Sequence, residues 1–401
     1  MTAPEPRSLP GRVDVAIVGG GPAGVATAAS LVHRDPAWAE RLIVLERARF
    51  PRDKVCAGGL GARADRILAM LDLRADVPSV PIHGLCLRLP AGTRTVRTDQ
   101  PIGRVVRRIE FDRALAGSLA DRGVSIVEGA AVQSLHREGR DTRLVTSRGE
   151  VIARVVVGAD GVGSVVRRAM GLPHGELRAQ AVEVDTEGTD RDEPRDTLVF
   201  ESMDRTLTGY CWDFPTVVDG IQKVCRGAYV LLRGPQSPDA AQVLDTHLRA
   251  RGLDPRAYRR RRYAERGYVR ATRLSQQGWI LVGEAAGIDP VAGEGIPQAI
   301  LYGELAGRYL HEQFTRGDLS LNDWSGRVAS AFFGKDLRFR ARMVDMFYGR
   351  DRPWLERMLV ERPWFLRCGV EYFAGRRVPR PWLIRLAWFA ARLWLDARLS
   401  R

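Results

Sequence analysis

Near the start of this 401-residue chain stands Val13-Asp14-Val15-Ala16-Ile17-Val18-Gly19-Gly20-Gly21-Pro22-Ala23-Gly24, an apolar run that passes directly into a glycine-rich turn. A second apolar run, Leu42–Leu45, follows after an interval long enough for a helix and ends at Glu46. Strand, glycine turn, helix, strand and acid in this order are typical of a βαβ unit that binds a dinucleotide. The sequence therefore predicts an α/β fold built on a parallel sheet.

The three glycines of the turn have different predicted tasks. Gly19 permits the tight turn, Gly21 lets the backbone approach a pyrophosphate, and Gly24 lets the helix pack closely on the strand. The free N–H groups and the positive dipole end of that helix then face the phosphates. Glu46 follows 22 residues after Gly24, where a carboxylate can accept hydrogen bonds from both ribose hydroxyls of an adenosine half.

Two later glycine turns indicate which dinucleotide is bound. Residues Val155–Gly161 and Trp279–Gly287 each form an apolar run that ends in such a turn, and Asp289–Ile296 follows the second. An NAD domain needs one turn of this kind, whereas a longer cofactor threads past several strand ends. We therefore expect FAD, with its pyrophosphate at the first turn and its ribityl chain at the last. The helix expected over Ile296–Leu310 would place its N-terminus under the isoalloxazine ring.

At this point the chain resembles the FAD-dependent oxidoreductases of the geranylgeranyl reductase family, within the glutathione-reductase-like class that also holds aromatic hydroxylases and flavin halogenases. The resemblance spans about Val13 to Leu310 and rests on six motifs: the first glycine turn with Glu46, Asp53–Leu60, Arg108–Asp112, Gly158–Gly161, Tyr210–Pro215, and Gly283–Gly287 with Gly293–Ile296. Two positions depart from the family pattern. Glu284 stands where the family usually has an aspartate that bonds the ribityl chain, and Ala57 replaces a glycine after the cysteine.

The residues that we expect to bind the cofactor lie on these motifs, and Arg108 looks like the family's arginine that helps to hold FAD. They are Gly19, Gly21, Pro22, Ala23, Gly24, Glu46, Arg47, Lys54, Gly58, Arg108, Asp160, Gly283, Glu284, Pro290, Gly293, Gly295 and Ile296. For Lys54 a surface charge is the alternative to a phosphate or ribityl contact. The six histidines form no cluster, so no metal site is expected. The external electron donor is NAD(P)H or ferredoxin.

Composition and pattern predict three regions: a Rossmann-like, three-layer FAD-binding domain, an inserted substrate domain with an antiparallel sheet, and a helical C-terminal tail. The FAD-binding domain comprises residues 1–77, 100–170 and 269–331, the substrate domain 78–99 and 171–268, and the tail 332–401. Within the tail, Trp382–Leu399 is apolar around most of its circumference. It is either a core helix or a segment that contacts a membrane surface or a lipid-like substrate.

Two features of the chain are candidates for the substrate site. Tyr210, Trp212 and Phe214 alternate along a predicted strand and therefore share one face, either as an apolar wall for a hydrophobic substrate or as ordinary sheet core. In the family that the chain resembles, the cysteine matching Cys56 faces the flavin and substrate cavity. Cys56 is accordingly either a catalytic proton donor or a small packing residue.

The overall composition limits the cellular location and the binding partners that we expect. Five cysteines without a CxxC pair favour reduced thiols, and residues 1–12 show no secretory signal, so we expect a cytoplasmic protein without a transmembrane helix. The formal net charge is +14, and only Lys54, Lys223 and Lys335 are lysines. The arginine-rich run Arg259–Arg262 carries no nucleic-acid signature, so we expect a solvated face and no nucleic-acid partner.

The leading functional hypothesis is an FAD-dependent reductase of carbon–carbon double bonds in a prenyl or similar hydrophobic substrate. An oxidase or desaturase uses the same parts in reverse, and a hydroxylase leaves little trace in a motif. A flavin halogenase is disfavoured because Tyr210 replaces its first tryptophan and no lysine lies between Val55 and Gln222. A non-catalytic FAD-bound scaffold is the alternative from a different class.

Overall fold

The structure is a computed structural model that describes residues 9–173, 175, 177–379, 381, 382 and 385. Its strands are β1 (Arg12–Val18), β2 (Leu42–Glu46), β3 (Gly59–Gly61), β4 (Ser79–Ile82), β5 (Gly84–Leu89), β6 (Gly92–Arg97), β7 (Gly103–Val106), β8 (Ser125–Glu128), β9 (Val132–Glu138), β10 (Asp141–Thr146), β11 (Gly149–Gly158), β12 (Arg178–Thr186), β13 (Thr197–Glu201), β14 (Gly209–Val218), β15 (Ile221–Leu232), β16 (Arg261–Arg266), β17 (Ser275–Gln276) and β18 (Trp279–Leu281).

The α-helices alternate with the strands in the first part of the chain and follow one another in the last. They are α1 (Pro22–Arg34), α2 (Trp38–Arg41), α3 (Ala62–Met70), α4 (Arg108–Ala120), α5 (Val165–Ala169), α6 (Ala240–Ala250), α7 (Ile296–Arg316), α8 (Trp324–Ser330), α9 (Phe332–Tyr348), α10 (Arg352–Glu361) and α11 (Pro363–Phe373). Short 3-10 turns lie at Pro255–Ala257 and Gly283–Ala285.

The first sheet has the order β17-β18-β11-β1-β2-β8, and β9 and β10 extend it from β11. Its central strands β2, β1, β11 and β18 run parallel. Val15 in the middle of β1 lies beside Leu42 and Val155 and is fully buried. Both faces of a parallel sheet are covered, which is why these strands are continuous apolar runs. The predicted α/β fold with a Rossmann-like FAD-binding domain is confirmed.

Helices α1 and α7 pack closely against each other because α7 carries two glycines where they meet. A Cβ at Gly303 would lie 2.6 Å from the carbonyl oxygen of Ala23, and a Cβ at Gly307 would lie 2.5 Å from Cβ of Ser30. No real Cβ atom tolerates such distances, so the two backbones can approach only without these side chains. The N-terminal ends of both helices are thereby fixed near the first and last glycine turns.

The second sheet has the order β16-β12-β15-β14-β13-β5-β6. It is antiparallel except for β5 and β13, which run parallel. A third, antiparallel sheet consists of β3, β7 and β4. The strands of the second sheet come from residues 84–97 and 178–266, and the exact domain boundaries stay a prediction.

The helical tail packs on one face of the second sheet. Val344 of α9 and Leu366 and Val370 of α11 belong to the same buried cluster as Trp212 and Phe214 of β14. The tail therefore covers the aromatic face that the sequence identified. The segment Trp382–Leu399 lies outside the described residues except at positions 382 and 385. None of the helices that the structure describes is long and apolar enough to span a bilayer.

The opposite face of the second sheet is covered by α6 and buries a charged network. Asp213 of β14 accepts hydrogen bonds from Nε2 of His247, at 2.8 Å, and from Arg251, and it pairs with Arg226 at 2.9 Å. Arg251 also pairs with Glu201. Burial alone would lower the pKa of His247, but its contacts with Cys211, Asp213 and Glu201 raise that pKa well above the ordinary value.

We predict that replacing His247 with Gln removes a pH-dependent part of the stability. Because the pKa of His247 is raised on folding, its protonated form stabilises the fold fully below the ordinary histidine pKa of about 6.5, and this contribution is lost as the pH rises through the higher pKa of the folded state. The wild type should exceed H247Q by about 1.5–3 kcal/mol in unfolding free energy at low pH, a difference that shrinks in alkali. Denaturant unfolding across pH measures this.

The matched control is His136→Gln, because His136 lies exposed on β9 and should leave the pH profile unchanged. A constant difference between wild type and H247Q at every pH would show that folding does not shift the pKa of His247.

Candidate cofactor and substrate site

The first glycine turn has the geometry that the three predicted tasks require. Gly19 has φ +107°. A Cβ at Gly24 would lie 1.9 Å from the carbonyl oxygen of Gly19 and 3.2 Å from Ile17. At Gly21, by contrast, a Cβ would meet only a guanidinium nitrogen of Arg52 at 3.7 Å. The helix therefore packs directly on β1, while the space in front of Gly21 is open to a ligand.

Glu46 at the end of β2 is already engaged by the backbone. Its Oε2 accepts a hydrogen bond from the N–H of Gly20 at 2.9 Å, and its Oε1 accepts one from the N–H of Ala48 at 3.0 Å. Glu46 is buried, so its carboxylate braces the glycine turn as well as facing the predicted adenosine site. Arg47 beside it is exposed.

Arg108 does not point freely into the site but forms a buried pair with Asp112, one turn further along α4. Two hydrogen bonds of 2.6 Å join the guanidinium and the carboxylate. Arg52 adds a third at 2.9 Å and also lies 3.4 Å from Glu46. Burial alone would raise the pKa of Asp112, but Arg108 and Arg52 outweigh it and lower that pKa. Arg52 thus links the first turn to α4, a role that we did not predict.

The second turn is organised by Asp160. Its Oδ2 accepts hydrogen bonds from the N–H groups of Val165, at 2.7 Å, and Val166, and so caps α5. Its Oδ1 is buried and has no hydrogen-bond partner among residues 9–173, 175 and 177–379. One carboxylate oxygen of Asp160 thus caps α5, and the other is left to accept a hydrogen bond from a ligand.

At the last turn, the departure from the family pattern at Glu284 has a structural explanation. Oε2 of Glu284 lies 3.1 Å from Nζ of Lys54 and accepts a very short hydrogen bond from the hydroxyl of Tyr263. The ammonium of Lys54 also lies 4.5 Å from the centre of the Tyr263 ring. Lys54 is therefore paired within the fold and is not an isolated surface charge, and its contact with the cofactor stays a prediction. The longer Glu284 reaches Tyr263, which sequence reasoning did not find.

The turn that follows is fastened by tyrosines from two other regions. Tyr229 donates a hydrogen bond to the carbonyl of Pro290 at 3.2 Å, and Tyr210 donates one to that of Ala292 at 2.5 Å. Tyr348 of α9 donates one to Val291. Gly293, with φ +64°, and Gly295, the residue before α7, complete the turn. The N-terminus of α7 at Ile296 is thereby held at the edge of the second sheet.

Cys56 sits on the loop between β2 and β3, where it contacts β12 of the second sheet. Its N–H donates to Oε1 of Glu183 at 3.2 Å, and its Sγ accepts from the N–H of Gly58 at 3.4 Å. Burial raises the pKa of the Cys56 thiol. Glu183 lies 3.2 Å from Arg261, and burial raises its pKa to about 7. Gly58 has φ +78° and leaves no room for a Cβ against Val106. The catalytic role of Cys56 stays a prediction.

The aromatic residues of β14 share one face, as the strand period requires. The Phe214 ring lies against Gly59, and the Trp212 ring lies over Gly227. Tyr210 stacks on Tyr229 at 5.3 Å between ring centres. Trp212 and Phe214 are buried, whereas Tyr210 is half-buried. Tyr210 connects this apolar face to the last glycine turn through its hydrogen bond to Ala292. Contact of the face with a substrate stays a prediction.

The residues present suit FAD. Buried polar atoms without a partner in the described part of the chain include Oδ1 of Asp160 and Oε1 of Glu284, and both lie on the predicted cofactor turns. Acceptors of this kind match the hydroxyl groups of a ribityl chain, while the open space at Gly21 and the start of α1 suit a pyrophosphate. Within the same residues, no group of three or more His, Cys, Asp or Glu side chains is arranged to hold a metal ion.

Residues 12–300 match the protein family described as "FAD binding domain". The chain belongs to this family. Menaquinone reductase of Mycobacterium tuberculosis is 30% identical over 328 residues, covering 76% of this chain and 78% of the relative. Digeranylgeranylglycerophospholipid reductase of Methanosarcina mazei is 26% identical over 329 residues, covering 77% and 78%. The resemblance inferred from the motifs is confirmed, and the protein is an FAD-dependent oxidoreductase.

Solved structures agree on the fold. A geranylgeranyl bacteriochlorophyll reductase-like protein from Thermoplasma acidophilum superposes with a TM-score of 0.65 at 19% identity, over 93% of this chain and 95% of its own. A p-nitrophenol 4-monooxygenase from Pseudomonas putida gives a TM-score of 0.66 at 19% identity, over 92% and 100%. At these identities the likeness shows the fold alone, so it does not choose between reductase and monooxygenase.

We predict that Glu284→Ala weakens FAD binding about tenfold to a hundredfold, because a hydrogen bond to a charged group contributes about 1.5–3 kcal/mol. The measurement is the dissociation constant of FAD from refolded or stripped protein, followed by flavin fluorescence. Glu150→Ala, on an exposed hairpin, is the matched control and should bind FAD normally. Equal affinity of the two variants would place Glu284 outside the cofactor site.

Proposed function

We propose that the protein reduces carbon–carbon double bonds of a prenyl chain or a similar hydrophobic substrate. The observation that carries the proposal is the continuity between the last glycine turn and the aromatic face of β14, which Tyr210 joins by its hydrogen bond to Ala292. A substrate lying between that face and the tail that covers it would be an apolar molecule held beside the cofactor turn. The names of the two curated relatives, both reductases, support the same substrate class.

FAD, when bound, supplies the two-electron redox chemistry. The residues of this chain position the substrate, shield it from water and protonate it. Buried apolar side chains from the sheet and tail would exclude water from the reacting carbons: Trp212, Phe214, Leu366 and Val370. The external reductant, NAD(P)H or ferredoxin, belongs to the proposal. So does contact of the Trp382–Leu399 segment with a membrane surface, for which a core helix is the alternative; apart from positions 382 and 385 this segment lies outside the described residues.

An anaerobic half-reaction tests this function. The purified holoenzyme is reduced with dithionite, without excess, and mixed with menaquinone-4 or geranylgeraniol in detergent micelles while the flavin absorbance is followed. A reductase of carbon–carbon double bonds reoxidises its flavin without oxygen and yields a product with two hydrogens added to its prenyl chain. Fragment masses distinguish this product from menaquinone-4 that has been reduced only at its quinone ring. Reoxidation only after oxygen is admitted, with an oxygenated product, would instead establish the monooxygenase that the structural neighbours also allow.

Within this function we predict that Trp212→Ala raises KM for the most hydrophobic substrate at least tenfold, because burying an indole against an apolar chain contributes about 1.5–3 kcal/mol. The turnover number should change less. Rates are compared at equal flavin content, since loss of cofactor would mimic the effect. Phe339→Ala, on the exposed side of α9, is the control. Equal effects on all substrates would make Trp212 part of the sheet core.

A further inference from the structure

Strand β16 directs alternate side chains toward the cofactor turns. Tyr263 bonds Glu284 on that side, and Glu265 follows two residues later on the same face of the strand. The intervening Ala264 is exposed on the other face. Glu265 therefore lies on an edge strand of the second sheet, beside the last glycine turn.

The Glu265 carboxyl group lies against the last glycine turn. A Cβ at Gly293 would lie 2.8 Å from its Oε2, 3.3 Å from its Oε1 and 3.2 Å from the ring of Tyr229. Oε2 is shielded from solvent and has no hydrogen-bond partner in the described part of the chain. The residue as a whole is half-buried. An unpaired buried carboxylate is costly, which favours the protonated form.

The charges around Glu265 also favour its protonated form. The ionisable groups that face it are Glu284, Lys54, Asp289, Tyr263, Tyr229 and Tyr210. Burial, followed by the carboxylates of Glu284 and Asp289, raises the pKa of Glu265 well above its ordinary value, and Lys54 opposes this only in part. Lys54 is itself committed to Glu284 at 3.1 Å. Burial and these neighbouring charges therefore both favour the protonated, neutral form of Glu265.

We propose that Glu265 is a catalytic acid that gives its proton to the substrate, an assignment that rests on the proposed function. Reduction of a double bond adds a hydride to one carbon, carrying the two electrons of the reduced flavin, and a proton to the other. As the new C–H bond forms at the second carbon, the O–H bond of Glu265 breaks and its electron pair stays on the carboxylate. Solvent then returns the proton.

Cys56 is the other candidate acid, and its surroundings suit it less. Its Sγ already accepts a hydrogen bond from Gly58, and burial raises the pKa of the thiol. A thiol so placed releases its proton less readily than an ordinary cysteine does. Glu183, beside Cys56, is paired with Arg261. Among these three groups, Glu265 alone combines an unpaired oxygen with contact to the last glycine turn.

The protonation state is tested without turnover. Infrared spectra of the oxidised holoenzyme are recorded at pH 7 for the wild type, Glu265→Gln and the control Glu361→Gln, whose glutamate is exposed at the end of α10. The carbonyl stretching region of protonated carboxyl groups should contain one component in the wild type and the control that is lost in E265Q, while the components from other carboxyl groups stay in all three spectra. A spectrum without a band specific to Glu265 overturns the proposal, because a carboxylate cannot serve as the acid.

The transfer itself is tested in the anaerobic half-reaction with menaquinone-4 and geranylgeraniol. At equal flavin content, E265Q should reoxidise about 100-fold more slowly or worse, the usual range for loss of a general acid, with KM nearly unchanged. E361Q should behave as the wild type. A wild-type rate in E265Q overturns the assignment while leaving the reductase intact. Failure of the wild type with both probes, despite the infrared band, overturns the reductase and the donor role together.

Discussion

The backbone between Asp289 and Gly295 is held by hydrogen bonds from the second sheet and the tail, and the position of the start of α7 depends on them. Tyr210 and Tyr229 reach it from neighbouring strands of the second sheet, and Tyr348 reaches it from α9. Each hydroxyl binds a backbone carbonyl that a turn leaves without a partner. A shift of the sheet would therefore move the turn, and with it the start of α7.

The same turn is also held by charge. Arg340 of α9 lies 2.5 Å from Asp289, 3.0 Å from Asp336 and 3.2 Å from Glu294. One arginine cannot neutralise three carboxylates, and burial, with Asp289 and Asp336 nearby, raises the pKa of Glu294. The helical tail therefore does more than cover one face of the second sheet. It supplies the cation without which Asp289 would be an unpaired buried charge, and such a charge is strongly destabilising.

The parts of the site that follow from short stretches of sequence were predictable. The tight turn at Gly19 and the close packing at Gly24 depend on neighbouring atoms and a known helix–strand geometry, and the shared face of Tyr210 and Trp212 follows from the strand period alone. Partners across the fold were not predictable. Lys54 and Glu284 are 230 positions apart, and no local pattern states that β16 brings Tyr263 between them.

The environment of Lys54 was not predictable for the same physical reason. A lone lysine in an arginine-rich chain looks like a surface charge, and only the fold shows that its ammonium lies between a carboxylate and an aromatic ring. That contact matters for the chemistry beside it. Because Lys54 is paired with Glu284, it is not free to pair with Glu265, whose Oε2 is left without a partner in the described part of the chain. The proposed proton donor depends on this arrangement, because a buried carboxyl group without a counter-charge favours its protonated form.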